Sequence, residues 1–92
     1  MTISFSQRLA VLPDTLVNVV DGESVILSLK NESYFGLDAV GTDMWRALTS
    51  ANSIQAAYES LLVQYDVSEE KLKNDLGAFV EKLLTHGLVE LI

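Results

Sequence analysis

The chain has 92 residues, 49% hydrophobic and 21% charged, which fits a single globular domain with one modest core. Thirteen acidic residues against six basic ones give a net charge of -7, a balance that repels nucleic acid and anionic membrane surfaces. There is no cysteine, so disulfides, thiolate metal sites and cysteine nucleophiles are excluded.

Residues 1–13 are weakly patterned and end at the only proline, Pro13. They read as an N-terminal arm with a short strand at Arg8-Leu9-Ala10-Val11. Residues 14–92 read as the folded domain. Ser4, Ser6, Gln7 and Arg8 interrupt any apolar stretch at the start, so no secretory signal is expected. No run approaches the ~20 apolar residues that span a bilayer. The expectation is a soluble, cytoplasmic protein.

Leu16-Val17-Asn18-Val19-Val20 and Ser24-Val25-Ile26-Leu27-Ser28-Leu29 are rich in β-branched and aliphatic residues and predict two strands. Asp21-Gly22 between them predicts a tight hairpin turn, because glycine accepts positive φ without steric penalty. That turn sets Val20 opposite Glu23 and Val17 opposite Ile26. Leu16, Val25, Leu27 and Leu29 then share one face, and Val17, Val19 and Ile26 the other. A second turn, Lys30-Asn31-Glu32-Ser33, leads to a third strand, Tyr34-Phe35-Gly36-Leu37. A tight turn there sets Tyr34 beside Leu29 and Phe35 beside Ser28. Both faces of this meander are apolar, so the second face calls for a cover, either the N-terminal arm or a dimer partner.

Three helices follow. Asp38 caps the first, with Val40, Met44, Trp45 and Leu48 at helical spacing. Ser53 caps the second, whose stripe is Ile54, Ala57, Tyr58, Leu61, Leu62 and Tyr65. Ser68 caps the third, with Glu69 and Glu70 at its positive end. Leu72, Leu76, Phe79, Val80, Leu83 and Leu84 form its stripe, and Gly87 is the stop signal. Leu88 to Ile92 is an apolar, extended tail. The order β-β-β-α-α-α predicts an α+β, winged-helix-like fold: a three-stranded antiparallel sheet followed by three α-helices.

The inventory does not support catalysis. His86 is the only histidine and sits where a helix cap or dipole partner belongs. Glu69 and Glu70 are adjacent, so they do not face each other on a helix. The acids and one histidine form no metal-ligand set, and no glycine-rich phosphate loop occurs. No cofactor, metal or catalytic residue is expected. On the third helix, Lys71, Lys73 and Lys82 are offset by Glu69, Glu70, Asp75 and Glu81, which opposes DNA binding by the winged helix. The third strand, in contrast, is a natural sheet edge. Such an edge accepts a peptide strand, and the third helix can form the other wall of a groove.

The set Asp21-Gly22-Glu23, Val25-Ile26-Leu27, Tyr34-Phe35-Gly36-Leu37 and Gly41-x-x-Met44-Trp45-x-x-Leu48 resembles the PqqD-like family. The likeness continues through Tyr65, Asp75, Phe79, Leu83 and Gly87-Leu88-Val89 and spans about residues 14–90. Asp38 departs from the asparagine common in that family, and Gly77 interrupts the third helix. The resemblance implies a non-catalytic recognition element for the leaders of ribosomal precursor peptides. The leader is then an added antiparallel strand on the third strand, lying against the third helix. Carried over, the peptide contacts are Ser33, Tyr34, Phe35 and Gly36 on the strand. On the helix they are Leu72, Asp75, Leu76 and Phe79, with Lys71 at the rim. The resemblance favours the B1 component of a lasso-peptide pathway, whose partners are the precursor peptide, a leader peptidase and a cyclase or other modifying enzyme. The alternatives are the precursor chaperone of pyrroloquinoline quinone synthesis, a DNA-binding winged helix, and a homodimerisation module.

Overall fold

A computed structural model describes residues 3–92; Met1 and Thr2 of the expected arm lie outside the described residues. The strands are β1 (Leu9–Val11), β2 (Thr15–Val20), β3 (Glu23–Ser28), β4 (Ser33–Leu37) and β5 (Val89–Leu91). The helices, α1 (Ala39–Ser50), α2 (Ile54–Gln64) and α3 (Glu69–Thr85), fall between β4 and β5. Strands β2, β3 and β4 form an antiparallel meander, and β1 pairs with β5 in a separate antiparallel ladder. The α+β arrangement of three strands and then three helices is the one the sequence predicts.

The first hairpin has the expected register, Val20 opposite Glu23 and Val17 opposite Ile26. Asp21 (φ 53°) and Gly22 (φ 81°) both lie in the left-handed region, as a two-residue turn of the primed type requires. The second hairpin corrects the expectation. Tyr34 pairs with Leu27 and Phe35 with Ile26, because the four-residue loop is Leu29–Glu32 rather than Lys30–Ser33: Leu29 leaves one strand and Ser33 joins the other. Three bonds hold this loop open: Leu29 N–H donates to the Asp14 carbonyl (2.8 Å), Asn31 N–H to Ser28 Oγ (3.2 Å), and Asn31 Nδ2 to the His86 carbonyl (3.3 Å). The slip is of two residues, so every side chain keeps its face.

Each helix start is capped as its sequence predicts. Asp38 Oδ1 accepts from Gly41 N–H at 2.8 Å, Ser53 Oγ from Ala56 at 3.0 Å, and Ser68 Oγ from Lys71 at 3.2 Å. Helix α3 ends in Gly87 at φ 69°, with Gly87 N–H on the Leu84 carbonyl and Leu88 N–H on the Leu83 carbonyl, both 3.1 Å. That is the Schellman pattern, and Leu83 and Leu88 are both buried beside it. The core gathers Ile26 and Leu37 from the sheet, Met44, Trp45 and Leu48 from α1, Ile54, Ala57 and Leu61 from α2, and Leu72, Leu76, Val80 and Leu83 from α3. Val40 departs from the expected α1 stripe and is exposed. Thr42 is buried in that helix, and its hydroxyl bonds Ser24 Oγ at 2.8 Å.

The described residues of the arm do not cover the sheet. The carbonyls of Gln7 and Phe5 accept from Ile54 and Gln55 N–H, both at 2.8 Å, and so satisfy free donors at the start of α2. Phe5 meets the Tyr58 ring edge-on at 6.1 Å. The chain then enters β1 and ties itself to the C-terminal strand. Leu16, Leu27 and Tyr34, paired across the sheet on the face turned away from the helices, stay exposed.

Candidate functional site

Among the described residues, β4 pairs only with β3, so its other side presents unpaired backbone groups. The pleat sends Ser33, Phe35 and Leu37 toward the helices and Tyr34 and Gly36 away from them. Leu37 is buried, Phe35 is half-buried against the core, and Tyr34 is 77% exposed. Phe35 meets the His86 ring edge-on, with centroids 4.8 Å apart. The start of β4 therefore abuts the end of α3.

The end of β4 leads into α1, where Val40 lies near the start of α3. Val40, Met44, Leu61, Tyr65, Val67 and Leu72 line a mostly apolar cavity of about 180 Å³, completed by Lys71 and Asp75. Strand and helix thus run in opposite directions, with the ring contact at one end and the cavity at the other. Lys71, Asp75, Phe79 and His86 recur along one flank of α3, at steps of four and seven residues. Lys71 Nζ and Asp75 Oδ2 pair at 3.1 Å, both well exposed, so the pair contributes at most about 1 kcal/mol. Both charges can turn toward a ligand at little cost.

Of the residues singled out from sequence, Ser33 and Phe35 face the helix side of the sheet, while Tyr34 and Gly36 reach a neighbouring strand through their backbone and outer face. Leu72 lines the cavity, Lys71 and Asp75 complete its lining, and Phe79 is half-buried on the same flank. Leu76 is fully buried and supports the wall from behind. Sequence reading missed His86 as a wall of the groove, and Val40, Met44, Tyr65 and Val67 as cavity lining. Tyr65 is held in place through its hydroxyl, which donates to Asp43; Gln64 Nε2 donates to the same carboxylate at 3.2 Å. That hydrogen bond, then burial and the charges of Asp43 and Asp38, keep the Tyr65 phenol above its usual range.

Strand β2 is the other sheet edge, but among the described residues no helix walls it. Val17 and Val19 on one face and Leu16 and Val20 on the other are all exposed. A strand added there would bury neither face, whereas one added to β4 lies against α3. His86 Nδ1 lies 2.8 Å from the Lys82 carbonyl, so that nitrogen carries the proton in this geometry. Among the described residues, no group of three His, Asp or Glu side chains is placed to hold a metal ion. Among the same residues, no helix is long and apolar enough to cross a membrane.

The family model for coenzyme PQQ synthesis protein D (PqqD) matches residues 23–89. The chain belongs to the PqqD family. The matched span runs from the start of β3 to β5 and so includes β4, the cavity and all of α3. No curated protein matches this PqqD-family chain in sequence. One solved structure similar to it is TbiB1 in complex with the TbiA(β) leader peptide, at 28% identity and a TM-score of 0.82, covering 88% of this chain and 94% of that one. A second is a lasso peptide synthetase B1 complexed with the leader peptide, at 20% identity and a TM-score of 0.80, covering 90% of this chain and 98% of that one. The second likeness bears on the fold alone.

Proposed function

We propose that this PqqD-family chain captures the leader segment of a ribosomal precursor peptide as an added antiparallel strand on β4 and holds it for partner enzymes. The observation that carries the reading is the free side of β4 beside the apolar cavity and the Lys71–Asp75–Phe79 flank of α3. Backbone groups of Tyr34 and Gly36 pair with the leader, while Ser33 and Phe35 bond to β3 and present their side chains on the α3 side of the sheet. Phe79, Leu72, Lys71 and Asp75 meet its side chains, with Leu76 behind them. The cavity, at about 180 Å³, is smaller than the ~300–1,000 Å³ of pockets for small molecules. It suits one anchoring side chain better than a cofactor.

The energetics favour such an anchor. Ordering a free leader opposes binding by ~1–2 kcal/mol per residue, and each backbone bond returns only ~1 kcal/mol. Micromolar affinity requires about -8 kcal/mol net. Backbone pairing at best offsets ordering, so the net affinity must come from apolar side chains buried in the groove, at ~1.5–3 kcal/mol each. Once the leader is held, its core segment stays at high effective concentration for an enzyme that acts on it. The chain itself performs no chemistry in this scheme, and it works in the cytoplasm, where the precursor is made.

The similarity to TbiB1 over nearly the full length of both chains supports the B1 role in a lasso-peptide pathway, with a leader peptidase and a cyclase as partners. The family description supports the second reading, chaperoning the precursor of pyrroloquinoline quinone. Fluorescence anisotropy with the leader of the precursor encoded beside this gene tests the capture. A proline at the centre of the paired segment deletes a donor without touching the protein and should weaken binding at least about tenfold. Unchanged affinity would contradict strand addition. A lasso cyclase beside the precursor gene points to the first reading, and a radical enzyme to the second.

A further inference from the structure

Gly36 has no role that the fold explains. Its φ is not positive, and a Cβ built on it meets nothing within 4 Å. Neither backbone conformation nor packing calls for glycine there, and glycine weakens a strand interior. A broad open hollow of about 520 Å³ lies over it, lined by Val20, Val25 and Gly36 and by the acidic residues Asp21, Glu23 and Asp38. This hollow is on the sheet face turned away from α3, so it is separate from the cavity described above.

We propose that an aromatic side chain of the bound peptide lies across Gly36 in this hollow. The inference rests on the leader-capture reading and adds a second recognition face to it. A strand paired with β4 sets one side chain directly beside Gly36 on the same face, because paired residues point the same way. Glycine offers no side chain to meet it. An aromatic ring fills that gap by folding over the bare backbone, as aromatic residues do opposite edge glycines. Beyond Gly36 the ring reaches Val25, its cross-strand partner, which is 39% exposed. A shorter aliphatic side chain stops short of Val25. The carboxylates of Asp21 and Glu23 disfavour an acidic residue at this position; that of Asp38 is engaged by Gly41 N–H. The peptide is thus read on both faces, apolar toward α3 and aromatic at one outward position.

The test pans a display library of short randomised peptides against the intact chain and against its Gly36→Val variant. The open space around Gly36 leaves the variant folded, which an unchanged or raised melting temperature verifies. Peptides selected on the natural chain should carry Phe, Tyr or Trp at one outward position. Changing that residue to Ala should weaken binding about tenfold on the natural chain and far less on Gly36→Val. Equal losses on both chains would place the aromatic contact elsewhere and overturn the inference, even where proline in the peptide still abolishes binding. Selected peptides that tolerate proline at every position would remove the added strand itself, and the inference with it.

Discussion

Strands β1 and β5 tie the two ends of the chain together, while β4 sets a free side beside α3 and its cavity. In the first pair, Arg8 and Ile92 exchange backbone bonds of 3.0 and 2.9 Å, Leu12 N–H reaches the Leu88 carbonyl at 3.0 Å, and Leu9 and Val89 are buried. The open side of β4 has no such partner among the described residues, and Tyr34 on it stands in solvent. The described residues of the arm are bound to the start of α2 and to the C-terminal strand rather than to the sheet. An edge that a protein leaves open invites an added strand, so natural folds cover or blunt edges that have no partner. Here the cover went to the termini, and β4 was left available.

The contrast between packed and open regions is sharpest at two neighbours in β3. Ile26 is 0% exposed and Leu27 is 38% exposed. Ile26→Ala should lower stability by about 2–5 kcal/mol in denaturant unfolding, and Leu27→Ala by less than about 1 kcal/mol. Equal losses would mean that the outer sheet face is covered in solution, as a second copy of the chain would do. Leu9→Ala removes a buried side chain from the closed pair and should lower stability by about 2–4 kcal/mol. Leader affinity should not change with it; a weaker complex would bring the arm into the groove.

Gly87→Ala should destabilise by about 1–2 kcal/mol, since φ is 69° and a new Cβ would sit 2.8 Å from Asn31 Nδ2. It should also loosen the loop that positions β4, visible as weaker leader binding at a temperature where the chain is still folded. The smallest effect concerns Tyr65, whose phenol titrates above the ordinary 10.0 in the folded chain. A raised folded value means that the native state holds this proton more tightly than the unfolded chain does. The resulting stability is whole below pH 10 and is lost as pH rises through the folded value. Tyr65→Phe should make alkaline unfolding less steep there, as melts run from neutral to alkaline pH would reveal.

Local signals in the sequence carried most of the fold. Asp21-Gly22 needs only its own backbone to make a turn, and Asp38, Ser53, Ser68 and Gly87 act within one helical turn of themselves. What sequence reading missed depends on distant partners. The β3–β4 loop is set by Asp14 and His86, and Thr42 is buried because Ser24 meets it from another element. The path of the arm depends on free N–H groups of α2 some fifty residues away. The strand half of the candidate site was legible as the last strand of a meander. The cavity was not, because Val40 comes from α1 while Tyr65 and Val67 come from the α2–α3 connection, more than twenty residues away.

Amide hydrogen exchange of the intact chain, read with and without saturating leader peptide, tests strand capture most directly. Outward-pointing amides between Ser33 and Leu37 should exchange quickly in the free chain and become protected in the complex, while the amides of Arg8, Leu12 and Ile92, bonded between the two chain ends, stay protected in both. Leader binding that protects other segments and leaves these β4 amides exchanging at their free rate would contradict the account.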